Sequence, residues 1–391
     1  MGVCLIMSVG AVCAQGIKFE KVGWNKLLAK AKKENKLIFI DCHTSWCGPC
    51  KRLATNVFTQ AEVGDFFNKH FINAKYDMEV GEGIELKKKF EITAYPTLLY
   101  VNSRGEIEHR SVGAVGPEAL IQQGKLAMDP ERNFASIQKR YEEGDRTPAF
   151  LESYISALDR AAMRSVKMTV VEEYLAALPL KDLLTKEKWS LVEENIKDPV
   201  SPVFQQVVLG RQILKKQLGD VVDSRIFIVL RNQMAKMNEE GAVLDTAYYG
   251  QFVKFLQRVT YEKAPMFLAQ LYALKHAEEG EYQKMLDVLQ EVFQYNLMQG
   301  FDRTDCLVTY LNKMQKCQDM ALVGEVCQWV DGLEQGTIDP LQKVALKDLQ
   351  YNLLITHGKT TEAEQVKAVA DEICKKFEQD YKHEITRRLV N

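Results

Sequence analysis

The chain has 391 residues, 46% hydrophobic and 27% charged, a globular composition long enough for two or three domains. Lys plus Arg is 51 against 53 Asp plus Glu, a net charge of -2, which removes the electrostatic case for a nucleic-acid partner. Beyond the N-terminus no run of about 18 apolar residues occurs, so no stable membrane span is expected, and nine cysteines are too sparse for a disulfide-built scaffold.

Residues 1–16 read MGVCLIMSVGAVCAQG, uncharged and almost wholly apolar. Val12 and Ala14 fit the small-residue positions before a signal-peptidase cut, so residues 1–14 read as a signal peptide and Gln15 as the mature start. The positive segment that usually opens such a signal is missing, and a short buried strand or helix is the alternative. The expectation is an exported protein, in the bacterial periplasm. Without Cys4 and Cys13 seven cysteines remain, an odd number, so at least one thiol is free or transiently paired.

From Lys18 to Met128 helical and strand patterns alternate. Trp24 to Asn35 is a Lys-rich amphipathic helix with Leu27, Leu28 and Ala31 on one face. Leu37 to Cys42 is the apolar run of a strand covered on both sides. Cys47 to Phe58 is helical, and Thr59 with Glu62 reads as a capping box opening a second helix. Phe71 to Met78 is a strand and Gly83 to Phe90 a short helix. Thr97 to Val101 and Ile107 to Val112 are strands joined by a turn at Asn102–Gly105. Gly116-Pro117-Glu118 starts a last helix. The order implies a mixed sheet with helices on both faces, over residues 15–129.

From Pro130 to residue 391 strand signals nearly vanish. Helical segments such as Ala149–Ala162, Phe204–Gln217, Phe252–Tyr261 and Pro265–Ala277 follow one another, with breaks at Gly144, Pro199, Gly280, Gly336 and Gly358. Gly144 and Gly280 lie in similar contexts, four 34-residue periods apart. The expectation is an all-helical second domain, either a degenerate array of helical hairpins or a plain bundle.

Chemistry concentrates in Asp41-Cys42-His43-Thr44-Ser45-Trp46-Cys47-Gly48-Pro49-Cys50-Lys51. A C-x-x-C between strand and helix places Cys47 at the helix start, where unpaired N–H groups and the dipole stabilise a thiolate. The pKa of such a thiol falls from about 8.5 to roughly 3.5–7.5. Cys47 can attack a disulfide, and Cys50, one turn on, can resolve the mixed disulfide. Asp41, in an otherwise apolar strand, is a base for the Cys50 proton, its pKa raised by desolvation. Lys75 is a candidate to pair with it.

These residues resemble the thioredoxin family over about residues 17–128, with Trp46 to Lys51 as that family's active-site sequence. The resemblance implies that Asp41 is the buried acid and Lys75 its partner, and that Tyr95-Pro96-Thr97 is the cis-proline element. Trp46, Gly48, Pro49, Tyr95, Pro96 and Thr97 would then contact substrate. Cys42 and His43 depart from the family's usual aromatics. Cys42 reads as a small core residue. His43 reads either as a tuner of the thiolate or as a partly buried imidazole without a role.

Other chemistries fit less well. A zinc set of Cys42, His43, Cys47 and Cys50 lacks a second ligand pair, and neighbouring strand residues point apart. A Cys-His hydrolase would leave Cys50, Asp41 and Pro96 without a role. No metal and no cofactor are expected. Cys306, Cys317, Cys327 and Cys374 lie in helical segments and read as small buried residues, and Trp189, Trp329 and the Phe252–Tyr272 aromatics read as core. The expected function is a protein-disulfide reductase or isomerase whose helical domain binds a client or partner. Its partners would be a disulfide-containing client protein and a thiol electron donor. The alternative is a non-catalytic scaffold whose helical array binds a protein.

Overall fold

The structure, a computed structural model, describes residues 15–294, 300–335 and 339–390. The expected signal peptide and the break at Gly336 lie outside these residues. The folded chain separates into two compact units, one up to Leu178 and one from Pro179.

The first unit begins with α1 (Trp24–Glu34), β1 (Leu37–His43), α2 (Gly48–Asn56), α3 (Ala61–His70), β2 (Phe71–Asp77), α4 (Glu82–Lys89), β3 (Thr97–Val101), β4 (Ile107–Val112) and α5 (Pro117–Met128). The element order is the expected one. The described residues form a four-stranded sheet, β2-β1-β3-β4, with β1 parallel to β2 and antiparallel to β3. The β3–β4 hairpin closes where Asn102 Oδ1 accepts the amides of Arg104 and Glu106, at 2.9 and 3.1 Å, and Gly105 takes a left-handed φ of 81°.

The alternation of β1 sorts its side chains between two cores. Ile38, Ile40 and Cys42 pack with Leu27 and Ala31 of α1 and Leu86 of α4. Phe39 goes to the other side, with Leu53 of α2, Phe67 of α3 and Leu120 of α5. Both clusters are almost fully buried, which is why β1 reads as an unbroken apolar run.

One local expectation fails. Thr59 does not cap α3: its hydroxyl donates to the Thr55 carbonyl at 2.6 Å, and Gln60 holds the cap position without a side-chain bond. A threonine one turn past a helix can donate back to a carbonyl of that helix or accept an amide of the next, and here the bond to the preceding helix is the one formed. Glu62 stays in the first turn of α3, favoured by the dipole.

Three further helices belong to this unit: α6 (Phe134–Glu142), α7 (Pro148–Arg160) and α8 (Arg164–Ala176). The change of pattern at Pro130 and the division at Leu178 are thus different boundaries. α6 is tied to β4 through His109, whose Nδ1 accepts the Phe134 amide at 3.3 Å while Nε2 meets Gln123 Oε1 of α5 at 2.8 Å.

The second unit is helical throughout its described residues. A 3-10 turn (Leu180–Leu184) leads into α9 (Lys186–Asn195), α10 (Pro202–Leu209), α11 (Arg211–Leu218), α12 (Val221–Met237), α13 (Thr246–Arg258), α14 (Ala264–Glu278) and α15 (Tyr282–Gln294). Then come α16 (Gly300–Leu311), a 3-10 turn (Asn312–Lys316), α17 (Met320–Gln335), α18 (Pro340–Thr356) and α19 (Thr360–Val390). The segment read as one helix from Phe204 to Gln217 is two, broken at Gly210. A Cβ there would stand 2.4 Å from Leu180 Cδ2, so the glycine admits a leucine where the helix would otherwise continue. Gly144 and Gly280 both take left-handed φ, 96° and 75°, behind α6 and α14. Trp189, Phe252, Phe255, Tyr261 and Phe267 are buried as core, with Tyr272 and Trp329 half-buried. Among the described residues no helix is long and apolar enough to cross a membrane.

Candidate active site

Cys47 is the N-cap of α2, with Pro49 in the first turn. Its sulfur accepts the Cys50 amide at 3.2 Å and is bonded to the Cys50 sulfur at 2.07 Å. One turn further along the helix does not bury Cys50 more deeply than Cys47: the two are 4% and 3% exposed. What separates them is placement: Cys47 sits at the positive end of the helix, and Cys50 lines a cleft shared with Asp41.

Gly48 and Pro49 are exposed beside the disulfide, and Trp46 is 65% exposed. The indole N–H donates to Glu79 Oε2 at 3.0 Å, and the ring meets Tyr95 edge-on at 5.9 Å. This contact brings the loop before β3 beside Trp46, the residue that precedes Cys47. The Tyr95–Pro96 peptide bond is cis. Pro96 is buried and its carbonyl accepts the Gly113 amide at 2.8 Å. Thr97 is fully buried opposite Cys42 on β1, and its hydroxyl donates to the Ala94 carbonyl at 2.8 Å.

Behind Cys50 lies a cleft of about 540 Å³, lined by Asp41, His43, Thr44, Lys51, Lys75 and the segment 15–19. Asp41 is 3% exposed. Burial pushes its carboxyl up to about 6, against the opposing charges of His43 and Lys75. Asp41 Oδ1 and Thr44 Oγ1 are buried without a hydrogen-bond partner among the described residues. Such atoms take water where space admits it, and the cleft beside them is large enough.

Lys75 stands in register with Asp41 across β1 and β2, but its ammonium lies over the Phe19 ring, 5.6 Å from the centroid. The group close to the carboxylate is His43, whose Nδ1 is 3.5 Å from Asp41 Oδ2. The signal for this pair was present: residues two apart on a strand share a face.

Cys42 is fully buried in the opposite core, and burial, helped by the Asp41 charge, pushes its thiol well above the usual range. Cys42 therefore does not join His43, Cys47 and Cys50 in a ligand set. Cys306, Cys317 and Cys327 are buried free thiols, whereas Cys374, expected to be buried, is exposed on α19. Burial pushes Cys306 up to about 12. The described residues contain one cluster of metal-ligand type, His276, Glu279 and Glu281 in the second unit, and its acids already pair with Lys275 and Lys284.

A family model described as thioredoxin-like matches residues 20–103. A thioredoxin of Echinococcus granulosus is 37% identical over 97 residues, which cover 24% of this chain and 84% of the relative. The chain belongs to the thioredoxin-like family. An H-type thioredoxin of Brassica campestris is 33% identical over 95 residues, 24% of this chain and 72% of that protein. Among solved structures, a candidate disulphide-isomerase of Bacteroides thetaiotaomicron is 50% identical, covering 29% of this chain and 95% of its own, with a TM-score of 0.28. The family model ends at residue 103, and each of these likenesses covers less than a third of this chain.

Proposed function

We propose that the protein is a thiol-disulfide oxidoreductase that reduces or isomerises disulfides of client proteins. The observation that carries this reading is the closed Cys47–Cys50 pair at the N-terminus of α2. In the reduced protein, helix-end amides favour the Cys47 thiolate. It attacks one sulfur of a client disulfide, so a Cys47–client bond forms and the other client sulfur leaves with the electron pair. Cys50 gives its proton to Asp41, directly or through water, and attacks Cys47. The Cys47–Cys50 bond forms, the Cys47–client bond breaks, and the client leaves as a thiol after protonation by solvent. A thiol donor then reduces the Cys47–Cys50 bond for the next cycle.

The exposed Trp46, Gly48 and Pro49, with Tyr95 at the loop before β3, offer the client an apolar rim. Pro96 and Thr97 shape that loop from inside the fold. Lys75 modulates Asp41 by charge from β2. The helical unit recruits the client or a partner, and the chain works after export, in a periplasm, where client disulfides occur. Turnover of insulin disulfides by the full-length protein, compared with Cys47→Ser, tests the reading. Loss of turnover in the variant is the expected result, and equal activity in both proteins would remove it. A Cys50→Ala variant should retain clients as stable mixed disulfides.

A further inference from the structure

The exchange steps above leave the Cys50 proton on Asp41, and re-reduction of the Cys47–Cys50 bond calls for a proton at Cys50 again, so the buried acid either passes the same proton back or exchanges it with solvent. His43 follows Asp41 by two residues on β1 and leaves the strand on the same face. Its Nδ1 stands 3.5 Å from Asp41 Oδ2 and 3.4 Å from the Asp41 carbonyl oxygen. The His43 side chain is 25% exposed against 4% for that of Asp41, so the imidazole is the more solvent-accessible of the two groups. We infer that His43 is the proton exit of this site, a positioning residue that works through Asp41 to return the Cys50 proton to solvent. The inference rests on the oxidoreductase reading above.

The other charged groups around His43 do not serve. On β2, Lys75 and Asp77 are in register with Asp41 and His43. Lys18 of the N-terminal segment and Lys51 of α2 line the same cleft, as does Cys50. An ammonium has no lone pair with which to accept the proton. Asp77 Oδ1 is engaged by the Glu79 amide at 3.0 Å. Imidazole both accepts and releases a proton near neutrality. In the relay, protonated Asp41 gives its proton to Nδ1 of neutral His43, the Nε2 proton leaves to water, and exchange with solvent returns the ring to its Nε2–H tautomer before the next cycle. Nothing is oxidised or reduced in this transfer.

The test is steady-state insulin reduction by full-length His43→Ala in weakly buffered solution near neutral pH, with dithiothreitol as donor. The expected result is a drop in kcat of roughly tenfold or more, with KM and the rate of Cys47 alkylation unchanged, and recovery of kcat on adding free imidazole. An unchanged kcat overturns the inference, as does a loss that imidazole does not relieve or one matched by slower alkylation. If His43→Ala does not fold, His43→Gln, which fills the site but does not titrate, is read in the same way. A wild-type protein inactive on insulin would sink the oxidoreductase reading itself. An active wild type with unaffected variants would sink only the relay.

Discussion

The backbone amide of Cys50 donates to the sulfur of Cys47 at 3.2 Å. A backbone donor survives any change of side chain at position 50, and it favours negative charge on the sulfur it faces. The reduced protein should therefore be alkylated at Cys47 with a pH midpoint of roughly 3.5–7.5, below the value of about 8.5 for a free thiol. Cys50→Ala should keep that low midpoint. A midpoint at or above the free-thiol value in both proteins would contradict the arrangement.

Asp41 should cost stability at neutral pH. Its carboxyl is raised to about 6 from an ordinary 3.8, with burial the leading cause. An acid raised in this way binds its proton more tightly folded than unfolded. The folded state is thus penalised as pH climbs from the unfolded value toward the folded one, and the full penalty, about 3 kcal/mol, holds above it. Asp41→Asn should melt at a higher temperature than the wild type near neutral pH and at the same temperature in acid below the unfolded value. The same variant should slow insulin turnover by on the order of a hundredfold.

His109 predicts the opposite slope. Burial holds its pKa below the ordinary histidine range, partly offset by Gln123, and the Arg160 charge acts with burial. Its Nδ1 accepts the Phe134 amide, a role open only to the neutral ring. Stability is therefore complete at high pH and falls once the pH drops below the unfolded value of about 6.5. Thermal melts across that range should show the fall in the wild type and a flatter profile in His109→Gln.

Phe39 joins the sheet to three helices. Its ring lies 4.6 Å from Phe67, 5.3 Å from Tyr100 and 6.1 Å from Phe58, and it is fully buried. Phe39→Ala should cost about 3–5 kcal/mol, read by denaturant unfolding of the oxidised protein.

Local chemistry made much of this fold legible. The apolar run at Leu37–Cys42, the Asn102–Gly105 turn and Gly116-Pro117 each carry their own structural instruction, and β1, the hairpin and α5 appear where those residues stand. The errors arise where a distant residue decides. Leu180 fills the space a side chain at Gly210 would need, and Thr55 takes the Thr59 hydroxyl. His109 draws α6 onto β4, which no pattern after Pro130 announces. In the site, the dithiol and its acid could be read from the motif, but the neighbour of Asp41 could not be read from likeness to other thioredoxins. Strand periodicity, applied to Asp41 and His43, contains that answer.

One residue step along β1 has a protective effect. Asp41 lines the cleft behind Cys50, while Cys42 is sealed among Ile38, Ile40 and Leu99 on the far side of the sheet. A hydrogen-bonded wall of backbone stands between that thiol and the Cys47–Cys50 bond. Within this sheet, disulfide scrambling has to wait for unfolding, so the pair can cycle indefinitely without capturing its nearest neighbour in sequence.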